Sequence, residues 1–104
     1  VTRLVLRLVV EFEWDEAKNA ANLAKHGVAF EDAVAIFGGF VTLTPDLRQD
    51  YGEPRFIATG LLDGAAVVVV VHTPRGDAIR IISARFANRR EREAYRAAGQ
   101  NDAG

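Results

Sequence analysis

Lys18, Asn22 and Lys25 stand at i, i+4 and i+7, and His26 follows Asn22 at i+4. On a helix this spacing aligns them into one polar stripe. Two ammonium groups, an amide and an imidazole, the side chain that titrates near neutrality, can bind an anion and move a proton beside it. The same stripe is equally the solvated face and cationic last turn of an ordinary surface helix. A second set lies in Ala78 to Phe86, which reads as a strand. Alternation puts Ile79, Ile81, Ser83 and Arg85 on one face and Arg80, Ile82, Ala84 and Phe86 on the other. Arg80 and Arg85 therefore point to opposite faces unless a bulge or the strand's end redirects Arg85. Each is as compatible with a structural ion pair as with a phosphate contact.

A third set occupies the stretch after Asn88. Asn88 and Glu91 have capping-box spacing, which gives Glu91 a structural explanation. Arg89 and Arg90 have none, because cations in a first helical turn oppose the macrodipole. An anionic partner, such as an RNA backbone or an acidic protein segment, would account for them. Tyr95 fits core packing with a wet hydroxyl, and also fits proton donation or stacking on a base.

Charge is distributed in the same sense. Residues 1–53 hold five Lys/Arg against nine Asp/Glu, whereas residues 54–104 hold eight against five, with Arg85, Arg89, Arg90, Arg92 and Arg96 gathered together. Net charge is only −1, so the asymmetry, not the total, suggests a polyanion face and a separate acidic partner face. No cysteine is present, which excludes disulfides and thiolate metal sites and is compatible with a reducing cytoplasm. His26 and His72 lack metal-pair spacing. No Walker loop, dinucleotide-binding glycine pattern or nucleophile elbow occurs, and Ser83, the only serine, has no evident base. Neither a metal nor a cofactor is expected. The longest apolar run, Ala65 to Val71, is too short to span a bilayer, which takes roughly 20 residues.

The elements that must position these groups follow from local signals. Leu8, Val10, Phe12 and Trp14 alternate as a strand ending at Asp15, a good helix cap. The helix that follows has Ala17, Ala20, Ala21, Leu23 and Ala24 available for an apolar side and Gly27 as its stop. Phe30 to Phe37 reads as a second short helix, ended by Gly38-Gly39. Phe40 to Thr44 is a strand, and Leu47 to Pro54 is polar and turn-rich, a candidate mobile loop. Arg55 to Leu62 and Ala65 to Thr73 are strands joined by an Asp63-Gly64 hairpin turn. The second of these, with five consecutive valines, should be central and buried on both faces. Pro74 to Asp77 turns the chain into the Ala78 to Phe86 strand, and a helix runs from Asn88 to about Ala98. The expectation is one α+β domain with two N-terminal helices, an antiparallel sheet of about four or five strands and a C-terminal helix.

The ordered motifs "FEWDEAKNAANLAKHGVAFEDA", "PRFIATGLLDG", "VVVVVHTPRGDAIRIISAR" and "NRREREAY" resemble the BrnT family of bacterial toxins over about Phe12 to Arg96. Members usually begin near "FEWD", so residues 1–11 look like an extension or a misplaced start, 12–98 the domain, and 99–104 a frayed tail. His72 stands where a tyrosine is common. The resemblance implies a RelE/ParE-type fold and a ribonuclease that arrests translation in the cytoplasm. It also implies a BrnA-like ribbon-helix-helix antitoxin, which would form a heterotetramer with the toxin and bind operator DNA. Metal-free RNA cleavage needs the 2′-hydroxyl deprotonated, the phosphorane charge stabilised and the leaving 5′-oxygen protonated. Lys25, Arg55, Arg80 and Arg85 are the candidates for the charge, since a guanidinium fork matches phosphate oxygens. His26 is the natural proton carrier, with Tyr95 or Glu91 in reserve, while Lys18, Arg89, Arg90 and Arg92 would hold RNA. A non-catalytic module that docks on RNA or an acidic protein is the alternative; a metabolic enzyme for small anions is weaker.

Overall fold

Asp15 ends the first strand and starts the first helix by the same act: its carboxylate accepts from the backbone N–H groups of Ala17 (2.9 Å) and Lys18 (3.1 Å). The computed structural model describes residues 10–103. Its elements are β1 (Glu11–Glu13), α1 (Glu16–His26), α2 (Phe30–Ala33) running into a 3₁₀ turn (Val34–Gly38), β2 (Thr42–Pro45), β3 (Phe56–Leu62), β4 (Ala66–Arg75), β5 (Ala78–Phe86) and α3 (Arg89–Ala103). Leu8, expected in the first strand, lies outside the described residues, as do the rest of residues 1–9. The second expected helix is one turn of α-helix continued as 3₁₀, and α3 runs past the expected stop near Ala98.

The five described strands form one sheet in the order β1-β5-β4-β3-β2. β2 to β5 are antiparallel neighbours, as expected of a meander. The sheet is nevertheless mixed, not wholly antiparallel, because β1 pairs parallel to β5 with Glu11 opposite Ala78 and Glu13 opposite Arg80. The whole of the intervening chain separates these partners, so no local signal specifies their direction.

β4 is the centre, and its valines divide between two cores. Val68 and Val70 pack with Phe30, Ala33, Ile36, Ala58 and Ile81 beneath α2 and its 3₁₀ extension. Val67 and Val69 pack with Ala87 and Tyr95 beneath α3. A side chain at Gly60 would place Cβ 2.8 Å from Ile36 Cβ, so glycine is what lets the 3₁₀ turn lie on the sheet.

The first helix reverses its expected orientation. Gly27 does stop it in a left-handed conformation (φ 76°), with its N–H donating to Leu23 O. The buried residues of α1, however, are Asn19 and Asn22. Ala17, Ala20, Ala21, Leu23 and Ala24 face outward, and Leu23 is 49% exposed. The reason lies in what α1 covers. β1 pairs with β5 only as far as Arg80, so the outer edge of β5 at Ala84 has no strand beside it. Asn22 acts as a one-residue strand: Nδ2 donates to Ala84 O (2.8 Å) and Val28 O (2.9 Å), and Oδ1 accepts from Ala84 N–H (3.1 Å). Asn19 Oδ1 accepts from Phe30 N–H, and its Nδ2 donates to Glu31. Buried backbone groups must be paired, and an alanine face could not do it.

Candidate functional site

The strand β5 carries the decisive irregularity. Val71 lies opposite Ser83 and His72 opposite Ile81, so Ile82 is an extra residue, a β-bulge. Beyond it the alternation resumes one step out of phase. Arg80 is opposite Thr73 and Arg85 opposite Val69, and these two β4 residues share the face that α3 partly covers. A regular strand would have separated the two arginines; the bulge puts them on one face. Glu13, the Cα partner of Arg80, joins them there: its Oε2 accepts from Arg80 Nε at 2.8 Å and lies in ion-pair contact with Nη2, also at 2.8 Å.

Arg85 is held from the other side. Its Nη1 and Nη2 donate to the two oxygens of Glu91, each at 2.8 Å. Glu91 also accepts from Asn88 N–H, and Asn88 Oδ1 accepts from Glu91 N–H, the reciprocal capping box read from the sequence. The Arg85 hydrogen bonds and the Asn88 backbone lower the Glu91 carboxyl to about 2. At neutral pH Glu91 is therefore an anion that aims Arg85. Arg55 reaches the same end of the sheet with Nε on Glu53 (3.1 Å) and its guanidinium 4.1 Å over the ring of Tyr51. Each of the three arginines is thus already gripped by a carboxylate.

Lys18, Lys25 and His26 line a shallow groove of about 260 Å³ with Ala21, Asn22, Ile82 and Ser83. The bulge forms the groove's strand-side wall, with Ile82 and Ser83 the β5 residues that line it. Asn22, in contrast, has its full structural account at the edge of β5.

Tyr95 does not join this site. It is only 7% exposed, stacks 5.5 Å from Phe40, and its hydroxyl donates to Phe40 O at 2.7 Å. Arg92 is also occupied, donating to Ala87 O at 2.9 Å at the entry to α3. Arg89 pairs with Glu93 on the exposed helix, and Arg90 is exposed beside it. Sequence reading missed Arg48. It sits in the loop expected to be mobile, yet that loop closes on Asp46, which accepts from Arg48 Nε (2.8 Å), Arg48 Nη2 (2.7 Å) and Tyr51 OH (3.0 Å). The available signal was Asp-X-Arg before Tyr51, an Asx-turn pattern that can grip its own loop.

The opposite sheet face is apolar at the same end, where Leu43, Phe56, His72, Pro74 and Ile79 surround a hollow of about 230 Å³. His72 lies against Phe37 and Phe56, and its Nδ1 has no partner among the described residues. Burial holds its pKa below the ordinary 6.5. The unfolded chain therefore takes up a proton first, and stability is lost as pH falls below about 6.5. Melting temperature should drop between pH 7.5 and 5.5, and His72→Phe should flatten that drop; equal slopes in both proteins would refute the assignment.

Among the described residues no group of three His, Asp or Glu side chains could hold a metal ion, and no helix is long and apolar enough to cross a membrane. No curated protein sequence matches the chain significantly. The crystal structure of the Brucella abortus ribonuclease toxin BrnT is similar, with 31% sequence identity and a TM-score of 0.64 over 78% of this chain and all of that one. The sequence profile of the ribonuclease toxin BrnT of type II toxin–antitoxin systems matches residues 14–91. That span begins just after β1, takes in α1 and β2 to β5 whole and ends at Glu91 in the first turn of α3, and the chain accordingly belongs to the BrnT family of ribonuclease toxins.

Proposed function

We propose that this toxin is an endoribonuclease that needs no metal ion and cuts by attack of the substrate's own 2′-hydroxyl. The observation that carries this reading is the Ile82 bulge, which turns Arg80 and Arg85 to one face. Their guanidinium forks suit the extra charge of a phosphorane, with Arg55 and Lys25 at its margins. His26, on the groove that abuts Ser83, takes the 2′-hydroxyl proton or supplies one to the 5′-oxygen. As the 2′-oxygen bonds to phosphorus the P–O5′ bond breaks, leaving a 2′,3′-cyclic phosphate and a 5′-hydroxyl. Lys18, Arg89 and Arg90 extend the cationic surface along which a single strand can lie.

The family description supplies a toxin–antitoxin setting. Within it the antitoxin is a BrnA-like ribbon-helix-helix protein that assembles with the toxin as a heterotetramer on operator DNA. Translation arrest in the cytoplasm and kinship to RelE/ParE toxins complete the reading.

Purified chain incubated with single-stranded RNA in excess EDTA should yield fragments ending in 2′,3′-cyclic phosphate. Cleavage abolished by EDTA and restored by a divalent cation would overturn the metal-free mechanism. RNA that is bound and never cut, with or without ribosomes, would leave the chain a binding module, a reading favoured only by the carboxylate pairing of its arginines.

A further inference from the structure

Regular alternation groups Ser83 with Ile79 and Ile81, but the bulge separates them: Ile81 lies in the core beneath α2, and Ser83 passes to the other face. The register fixes its place there. Arg80, Ser83 and Arg85 stand opposite Thr73, Val71 and Val69. Those partners are alternate residues of one strand, so the three β5 residues form a row on one face with Ser83 in the middle. Each step along the row is about 7 Å, two residues of strand. A phosphate approached by both arginines lies above the centre of the row. At that level the sheet offers Ser83 on β5 and the buried, apolar Val71 on β4.

On the outward side of Ser83 β1 has already ended, at Glu13 opposite Arg80. The space beside it is the groove that Ser83 lines together with Lys18, Lys25 and His26. Ser83 thus belongs to the arginine row by register and to the groove of His26 by shared cavity. Asn22, the other neutral polar residue of the groove, is committed to Ala84 and Val28. Ser83 is half-buried, and no hydrogen bond among the described residues uses its hydroxyl.

As the 2′-oxygen bonds to phosphorus, negative charge grows on the two non-bridging oxygens. Long cationic side chains meet that charge from the rim. A short side chain on the floor of the site can fix which of the two oxygens points inward, and a hydroxyl does so with one directed O–H donor.

We infer that Ser83 touches the substrate: its Oγ–H donates to one non-bridging oxygen of the phosphate under attack, which sits where the arginine row meets the groove of His26. Serine keeps its proton throughout and forms no covalent bond. The inference rests on the ribonuclease reading of this face and deepens it by naming the residue common to both groups of the site.

The test uses a short single-stranded RNA with one phosphorothioate of known configuration, Rp or Sp, at a linkage the wild type cuts, beside the all-oxygen RNA. Ser83→Ala should lower the single-turnover rate on the all-oxygen RNA by about tenfold to a hundredfold, the range for a hydrogen bond to a charged group. Ser83→Thr keeps the hydroxyl and should retain most of the rate. Sulfur is a weak acceptor, so the wild type should cut one diastereomer more slowly than the other. Ser83→Ala should narrow that difference severalfold, because a bond already lost to sulfur cannot be lost again. A packing defect would slow both diastereomers alike and leave their ratio as in the wild type, and that result would overturn the contact. So would an unchanged rate in Ser83→Ala, or a Ser83→Thr as slow as Ser83→Ala; either leaves the ribonuclease reading standing. Wild-type protein that cuts no RNA would overturn the ribonuclease reading, and the contact would fall with it.

Discussion

Arg85→Ala should lower RNA cleavage by about 100- to 1,000-fold, the loss typical of removing one donor aimed at developing negative charge. Arg80→Ala should fall in the same range. The expectation follows from the bulge, which makes the two guanidiniums neighbours on one face, and from the carboxylates of Glu13 and Glu91 that fix their direction. Arg85→Lys keeps a cation but loses the fork, and it should recover only a small part of the rate. The readout is the single-turnover rate at saturating RNA, which separates chemistry from binding. Full activity in both alanine variants would sink the assignment of this face as the active site. Because Glu91 keeps its bond to Asn88 N–H when Arg85 is removed, α3 retains its cap, and lost activity is not lost structure.

Asn22→Leu should cost about 3 kcal/mol or more, because it strands three buried backbone groups at once: Ala84 N–H, Ala84 C=O and Val28 C=O. For a domain of this size that is a lowering of the melting temperature of roughly 10–20 °C. The direction is informative. Leucine is the better residue for a buried helix face in general, and a helix held by hydrophobic packing would gain from it. Here the helix covers a strand edge, and the amide alone matches the alternating donor and acceptor of β5. Asn22→Asp should fare no better, since its oxygens can accept from Ala84 N–H but repel the two carbonyls. Thermal unfolding decides the matter, and a change below 1 kcal/mol would refute the edge-strand role.

Those two residues also mark the boundary of what could be read from the chain alone. Asp15, Gly27, the Asn88–Glu91 box and the Asp63-Gly64 turn were legible because each acts within a few residues. Asp63 (φ 53°) and Gly64 (φ 70°) adopt the left-handed pair that such a hairpin requires. The β5 limits, Ala78 to Phe86, and the central, doubly buried β4 followed from composition and length. The cationic residues of the site were identifiable as types, though Tyr95 and Glu91 turned out to be occupied, one in the core and one as an anchor for Arg85.

What failed was decided at a distance. The outward alanines of α1 and its buried asparagines make sense only once the unpaired edge of β5 is known, 62 residues further along the chain. Nor does alternation reveal that β1 lies parallel, or that the polar loop closes on Asp46 and presents Arg48. Secondary structure here was set by short-range capping, turn geometry and hydrophobic period, which the sequence states directly. The shared face of Arg80 and Arg85 was set by one extra residue in the pairing of β5 with β4. Register is an energy of the whole sheet, shared among cross-strand contacts and the helices above them, and no single stretch of sequence contains it.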